Sequence, residues 1–271
     1  KVSFFAYGPY AASGGANNIT QTGTSLSFTV PAEVKQQVDL VYHNQTTNPT
    51  LNLVKPAVNA TVNFKFDHAL SRVSFTVEAA VDETTNGNNL LDGNTRINVK
   101  KVALINDLYD SEAPVQAGPF YTGGTLSLLS EDSDNPWTAT SGAQGFLFTA
   151  ADHFYHTVKD KCAETGEETD VIQLTRFNAS KPQRVLNEES YLMIIPQEAT
   201  FKIYIEYDVI SGIYENGSGE IIDESAITNK ITSKDALTVN KEKGKAYNFN
   251  LVLGMTSVKF EVDEVTVWDE S

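Results

Sequence analysis

Phe201-Lys-Ile-Tyr-Ile-Glu-Tyr207 sets Phe201, Ile203, Ile205 and Tyr207 on one face of an extended chain and Lys202 and Glu206 on the other. Alternation of period two is the pattern of a β-strand with one face on a core and one in water. Working outward, Val62-Asn-Phe-Lys-Phe66 repeats it. After His68-Ala-Leu-Ser-Arg72 it resumes at Val73, Phe75 and Val77 with opposite parity, a phase change that predicts a bulge or turn. Tyr247, Phe249, Leu251 and Leu253 alternate with Asn248 and Asn250. Gly254-Met255 then reads as the turn of a terminal hairpin whose second strand carries Val258, Phe260 and Val262. The alternation slips at Asp263-Glu264 before Val265, Val267 and Trp268 carry it on. No long window holds the i, i+3, i+4, i+7 spacing of an amphipathic helix, so the fold class is all-β, with helix confined to short pieces such as Ala151 to Lys159 or Ser225 to Ile231.

At 271 residues the chain suits two domains of ordinary size, and 41% hydrophobic against 20% charged residues is enough apolar material for packed cores. Asn-, Gly-, Ser- and Thr-rich loops run from Ala11 to Gly23, Glu83 to Asn94 and Glu215 to Gly219. The segment Asp107 to Gly118, with Pro114 and Pro119 near its end, marks the expected boundary near residue 115. Two β-sandwich domains are therefore expected, residues 1–115 and residues 116–271.

With 20 basic against 35 acidic residues the net charge is −15, which repels nucleic-acid phosphates and anionic lipid. No apolar run is long enough to span a membrane. The single cysteine, Cys162, can make no internal disulfide. Only His153-Phe-Tyr-His156 has a metal-like spacing, with Cys162 six residues on, and the more economical reading is two rings packed between strands. Glu131-Asp-Ser-Asp-Asn135 begins like a calcium loop, but counting from Asp132 puts Trp137 and Ala143 where glycine and glutamate are needed. Asn216-Gly-Ser-Gly-Glu220 is not a nucleophile elbow and reads as a hairpin loop. Trp137, Trp268 and the 11 tyrosines offer material for a sugar-stacking platform, and sequons stand at Asn18, Asn44, Asn59, Asn178 and Asn216. Catalytic, cofactor and metal sites are expected to be absent.

Lys1-Val-Ser-Phe-Phe-Ala-Tyr-Gly-Pro-Tyr10, Gln37-Val-Asp-Leu-Val-Tyr42 and Phe64-Lys-Phe-Asp-His-Ala-Leu-Ser-Arg-Val-Ser-Phe75 occur in the order and spacing of one family. Tyr191-Leu-Met-Ile-Ile-Pro196, Gly244-Lys-Ala-Tyr-Asn-Phe-Asn-Leu251 and Val265-Thr-Val-Trp268 continue the series. The chain resembles the fimbrillin family of Bacteroidales over nearly its whole length. The resemblance implies two tandem transthyretin-like β-sandwich domains, the first lacking its initial strands. It further implies a type V fimbrial subunit at the cell surface, associated with the outer membrane and exported as a lipoprotein, with no enzyme activity. Its partners would be other fimbrial subunits, joined by donor-strand exchange, and a host protein or glycan receptor. Only Asp-Glu-Ser271 follows Trp268, so a tip or accessory position is expected, one that accepts a strand without giving one. Val258, Phe260, Val262, Val265 and Val267 are the candidate assembly strand, with ordinary core as the competing reading. The alternative function is a carbohydrate-binding cell-surface lipoprotein using aromatics such as Trp137.

Overall fold

The computed structural model describes residues 1–10, 19–46, 48–54, 61–80, 94–107, 109, 116–129, 136–161, 168–187, 191–214, 221–240 and 242–267. The chain is almost wholly extended. It begins with β1 (Tyr7–Gly8), β2 (Ile19–Thr22), β3 (Ser25–Thr29), β4 (Val41–His43), β5 (Phe66–His68), β6 (Ser71–Ala79) and β7 (Thr95–Ile105). Next come β8 (Gln116–Phe120), β9 (Gly123–Ser127), β10 (Trp137–Ser141), β11 (Phe146–Thr149), β12 (Val158–Lys161), β13 (Glu168–Leu174), β14 (Gln183–Arg184) and β15 (Leu192–Ile194). Then follow β16 (Glu198–Tyr214), β17 (Ile221–Thr232), β18 (Leu237–Asn240), β19 (Lys245–Leu253) and β20 (Val258–Val267). Helix among the described residues is limited to α1 (Ala150–His153) and a 3-10 turn at Val34–Gln36.

Two large sheets form the sandwich. One runs β12-β13-β7-β16-β17, with β11 also on β7 and β18 also on β16; the other runs β14-β6-β19-β20, with β15 also on β6. Their inner faces meet through rings: Phe75 lies 5.5 Å from Phe148 and 5.9 Å from Phe249, and Phe201 meets Phe249 edge-on at 5.7 Å. Phe201, Ile203, Ile205 and Tyr207 are all fully buried, as their alternation predicts. β6 alternates buried and half-buried residues along its whole length and lies parallel to β19, Phe75 opposite Phe249. A smaller sheet, β10-β9-β3-β2, closes one end, where buried Trp137 donates its indole N–H to the Ala69 carbonyl at 2.6 Å. β1-β4-β5 makes a third, three-stranded sheet.

The structure departs from the sequence expectations in four places. Strands on both sides of residue 115 share the large sheets: β7 pairs with β16 and β13, and β6 with β19, β14 and β15, so neither sheet divides at that point. Local composition marks a loop there but carries no record of which distant strands pair. Of Val62 to Phe66, only Phe66 lies in a strand, and its ring is 48% exposed. Ser225 to Ile231 is the interior of β17, held extended by its antiparallel register with β16, Ala226 opposite Ile210 and Ile231 opposite Ile205. The face of β16 expected to be wet is covered at Tyr204 and Glu206. Tyr109 stacks on Tyr204 at 3.9 Å, and Ala103, Ile105 and Leu147 complete a second, small apolar cluster.

Candidate functional site

β17 and β20 lie along the same flank of the sandwich, because β19 faces β16 and each edge strand is the next one outward. Polar bonds tie the two edges at one level. Tyr207 donates its hydroxyl to the Gly254 carbonyl at 2.9 Å, and Asn229 Nδ2 donates to the Met255 carbonyl at 3.0 Å. Elsewhere the flank is lined by apolar side chains. Val258, Phe260, Ile231 and Leu237 are half-buried against the main core, while Ile227, on the inward-facing register of β17, is 57% exposed. Among the described residues β20 pairs with β19 and β17 with β16, and each has its outer edge unpaired. Two such edges with an apolar seam between them have the backbone groups and the side-chain sites that an added strand uses.

The candidate strand residues all lie on β20. Val258 stands opposite Leu253, Phe260 opposite Leu251, Val262 opposite Phe249, Val265 opposite Tyr247 and Val267 opposite Lys245. The register shifts between Asn248 and Phe249, leaving Asp263 as the extra residue of a bulge where the sequence alternation slips. Lys259 and Glu261 pair with each other on the outward side. Charges and a bulge on an edge strand discourage indiscriminate pairing. The sequence did not single out β17 as the facing edge. Its period is broken by Asn229, whose side chain answers to a carbonyl of the other sheet rather than to its neighbours in sequence.

The outer face of the larger sheet is a paired charge network. A bulge on β7 leaves Lys100 between the residues matched to Glu206 and Tyr207, so Lys100 and Lys101 both reach Glu206, each at 3.3 Å. Burial opposes the charge on Glu206, but Lys101, Lys100 and the Tyr204 hydroxyl outweigh it and hold its pKa below the usual carboxylate value. Burial pushes the Tyr207 phenol up to about 12. Arg96 joins Asp160 of β12 at 3.0 Å to Glu224 of β17 at 2.7 Å. Every described charge here has its partner inside the chain, which is the chemistry of a cross-strand brace.

Other sequence candidates scatter. His153 ends α1 and is buried, accepting the Thr149 N–H at Nδ1 and lying 3.3 Å from Glu33 through Nε2. His156 is exposed beyond the helix at a φ of 51°, so the two rings share no helical face. Cys162, Glu131 to Asn135, Asn216 to Glu220 and Trp268 lie outside the described residues. Among the described residues there is no group of three metal-ligating side chains, and no helix is long and apolar enough to cross a membrane. Trp137 is a core residue at 7% exposure, not an exposed platform. The sequon amides Asn44 and Asn178 are engaged within the fold, donating to Asp67 and to the Gln173 carbonyl. Asn18, Asn59 and Asn216 lie outside the described residues.

A sandwich of this kind, with its chemistry confined to braces and its edges left open, defines a structural β-protein. The family model described as fimbrillin-like matches residues 1–269, and the chain belongs to that family. The crystal structure of a fimbrial protein from Bacteroides vulgatus ATCC 8482 shares the fold at a TM-score of 0.69 and 19% identity, over 98% of this chain and 77% of that one. A candidate cell adhesion protein from Bacteroides ovatus ATCC 8483 aligns over 98% of this chain and 67% of that one at 13% identity and a TM-score of 0.44. No curated protein sequence matches the chain. Family membership makes this a fimbrial structural subunit of the cell surface and points to structure rather than catalysis as its role.

Proposed function

We propose that the chain is a structural and adhesive subunit of a type V fimbria, at the tip or in an accessory position, joined to its neighbours by donor-strand exchange. The observation that supports strand acceptance is the flank between β17 and β20, two unpaired edges bordering the half-buried Val258, Phe260, Ile231 and Leu237. An incoming strand there gains main-chain hydrogen bonds along an edge and buries alternate side chains against the seam. Export as a lipoprotein and association with the outer membrane belong to the same reading. The sugar-binding alternative has lost its principal aromatic, since Trp137 is in the core.

Ile227→Asp tests the flank, because that side chain is 57% exposed and its replacement leaves the core intact. The expected result is loss of the subunit from filaments with an unchanged melting temperature; normal incorporation would overturn strand acceptance at this flank. Immunogold labelling of cell-surface filaments tests position. Gold at filament ends supports the tip reading, and gold along shafts overturns it.

A further inference from the structure

The chain has four arginines, and three of them, Arg72, Arg176 and Arg184, gather at the β14/β15 edge of the smaller large sheet. Each stacks on an aromatic ring. The Arg72 guanidinium lies 3.3 Å from the Tyr191 ring centre and that of Arg184 lies 4.5 Å from the same ring. Arg184 also lies 5.2 Å from the Tyr155 ring, and the Tyr155 and His156 ring centres are 3.8 Å apart. Arg176 lies 4.6 Å from Phe177, whose side chain is 79% exposed at the tip of the turn that follows β13. With Lys181 these make four cations. Even against Glu188 and Glu189 of the same stretch the edge is net positive, in a chain whose net charge is −15.

Arginine and tyrosine are the residues in which binding energy concentrates at protein interfaces, because each covers a large area with few torsions to freeze. Stacking holds a guanidinium plane in place, and its N–H groups lie in that plane, the geometry that suits carboxylates. A large exposed phenylalanine such as Phe177 adds apolar area that water covers poorly. The opposite edge of the same sheet has the complementary sign: β20 carries Glu261, Asp263 and Glu264 against one lysine, Lys259. Two unlike, complementary edges on opposite sides of one molecule make a heterologous contact, and repetition of such a contact gives an open row rather than a closed dimer.

We propose that the arginine-aromatic edge around β14 and β15 is a docking surface for a second copy of this chain, which it meets through that copy's acidic β20 edge. The inference rests on the subunit reading above only in taking another copy as the partner. It is separate from strand exchange. A strand seated in the sandwich is held by main-chain bonds and apolar burial and is indifferent to salt, whereas an edge contact made by carboxylates and guanidinium groups weakens as salt screens it.

The test is sedimentation velocity on the full chain across a concentration series at low and high salt, with Arg184→Glu, Glu261→Arg and the two combined. The expected result is reversible association at low salt that fades at high salt, weakened about tenfold by either reversal and regained in the double variant. Because Arg184 also donates to the Leu186 carbonyl at 2.7 Å, a loss there could come from misfolding. Phe177→Ser, at an exposed tip, is the variant free of that objection and is expected to weaken association as well. A monomer at every concentration, or association untouched by salt and by all three variants, overturns the proposal. Salt-indifferent, irreversible assembly would overturn it while supporting strand exchange, and salt-sensitive association that Ile227→Asp leaves unchanged supports it whatever becomes of the flank.

Discussion

Cutting the chain at residue 115 should leave a C-terminal fragment, residues 116–271, that does not fold. Such a fragment lacks β6 and β7. β7 lies between β13 and β16 at the centre of one sheet, and β6 lies between β14 and β19 in the other. With them go Val73, Phe75, Val77, Ile97, Val99, Val102 and Leu104, all fully buried. At about 2 kcal/mol for each large apolar side chain, the burial lost is about 14 kcal/mol, as large as the whole net stability of an ordinary domain. β16 would also lose the register that runs from Lys202 opposite Ile105 to Ser211 opposite Thr95, leaving backbone donors and acceptors unpaired in what had been a sheet interior. The assay is near-ultraviolet circular dichroism and a thermal melt of the fragment beside the full chain. Tyr204, Tyr207 and Tyr247 are buried in the full chain and should supply its near-ultraviolet signal, which the fragment should lack. A fragment that melts cooperatively near the temperature of the full chain would refute the argument and restore a boundary near 115.

Phe249→Ala removes the ring that meets both Phe75 and Phe201 across the sandwich, and a urea titration should show a loss of about 4 kcal/mol. On the alkaline side, unfolded tyrosine ionises near pH 10 while buried Tyr207 holds its proton to about 12. The unfolded state then binds fewer protons, so stability should fall from about pH 10 upward, by about 2.7 kcal/mol from this group by pH 12; Tyr207→Phe should flatten that limb. On the acid side Glu206 has the opposite sign. Its lowered pKa gives stability that is present above the ordinary glutamate value and disappears as pH falls through the folded pKa. Glu206→Gln should therefore melt below the native chain near neutrality and converge with it in acid, a difference read from melting temperature against pH.

Sequence by itself determined the strands, because period two is a local property that any one segment displays. Phe201 to Tyr207, Val73 to Val77 and Tyr247 to Leu253 all bury the faces their alternation marks, and the slip at Asp263 is a bulge in the pairing of β20 with β19. The terminal hairpin and the family were legible for the same reason, since each rests on ordered local strings. Pairing was decided only by tertiary structure. Nothing near Ser71 to Ala79 names Lys245 to Leu253 as its parallel neighbour, and nothing near residue 115 tells that strands before it are the centres of sheets completed after it. The same holds for the sites. Glu206 reads as a wet residue until a bulge in β7 brings it two lysines and Tyr109 covers its neighbour. Arg72, Arg184 and Tyr191 are far apart or unremarked in the chain, and become one ladder because β14 and β15 both lie against β6. Alternation states which face of a strand turns inward; which strand lies beside it is settled by the burial and hydrogen bonding of the whole chain at once.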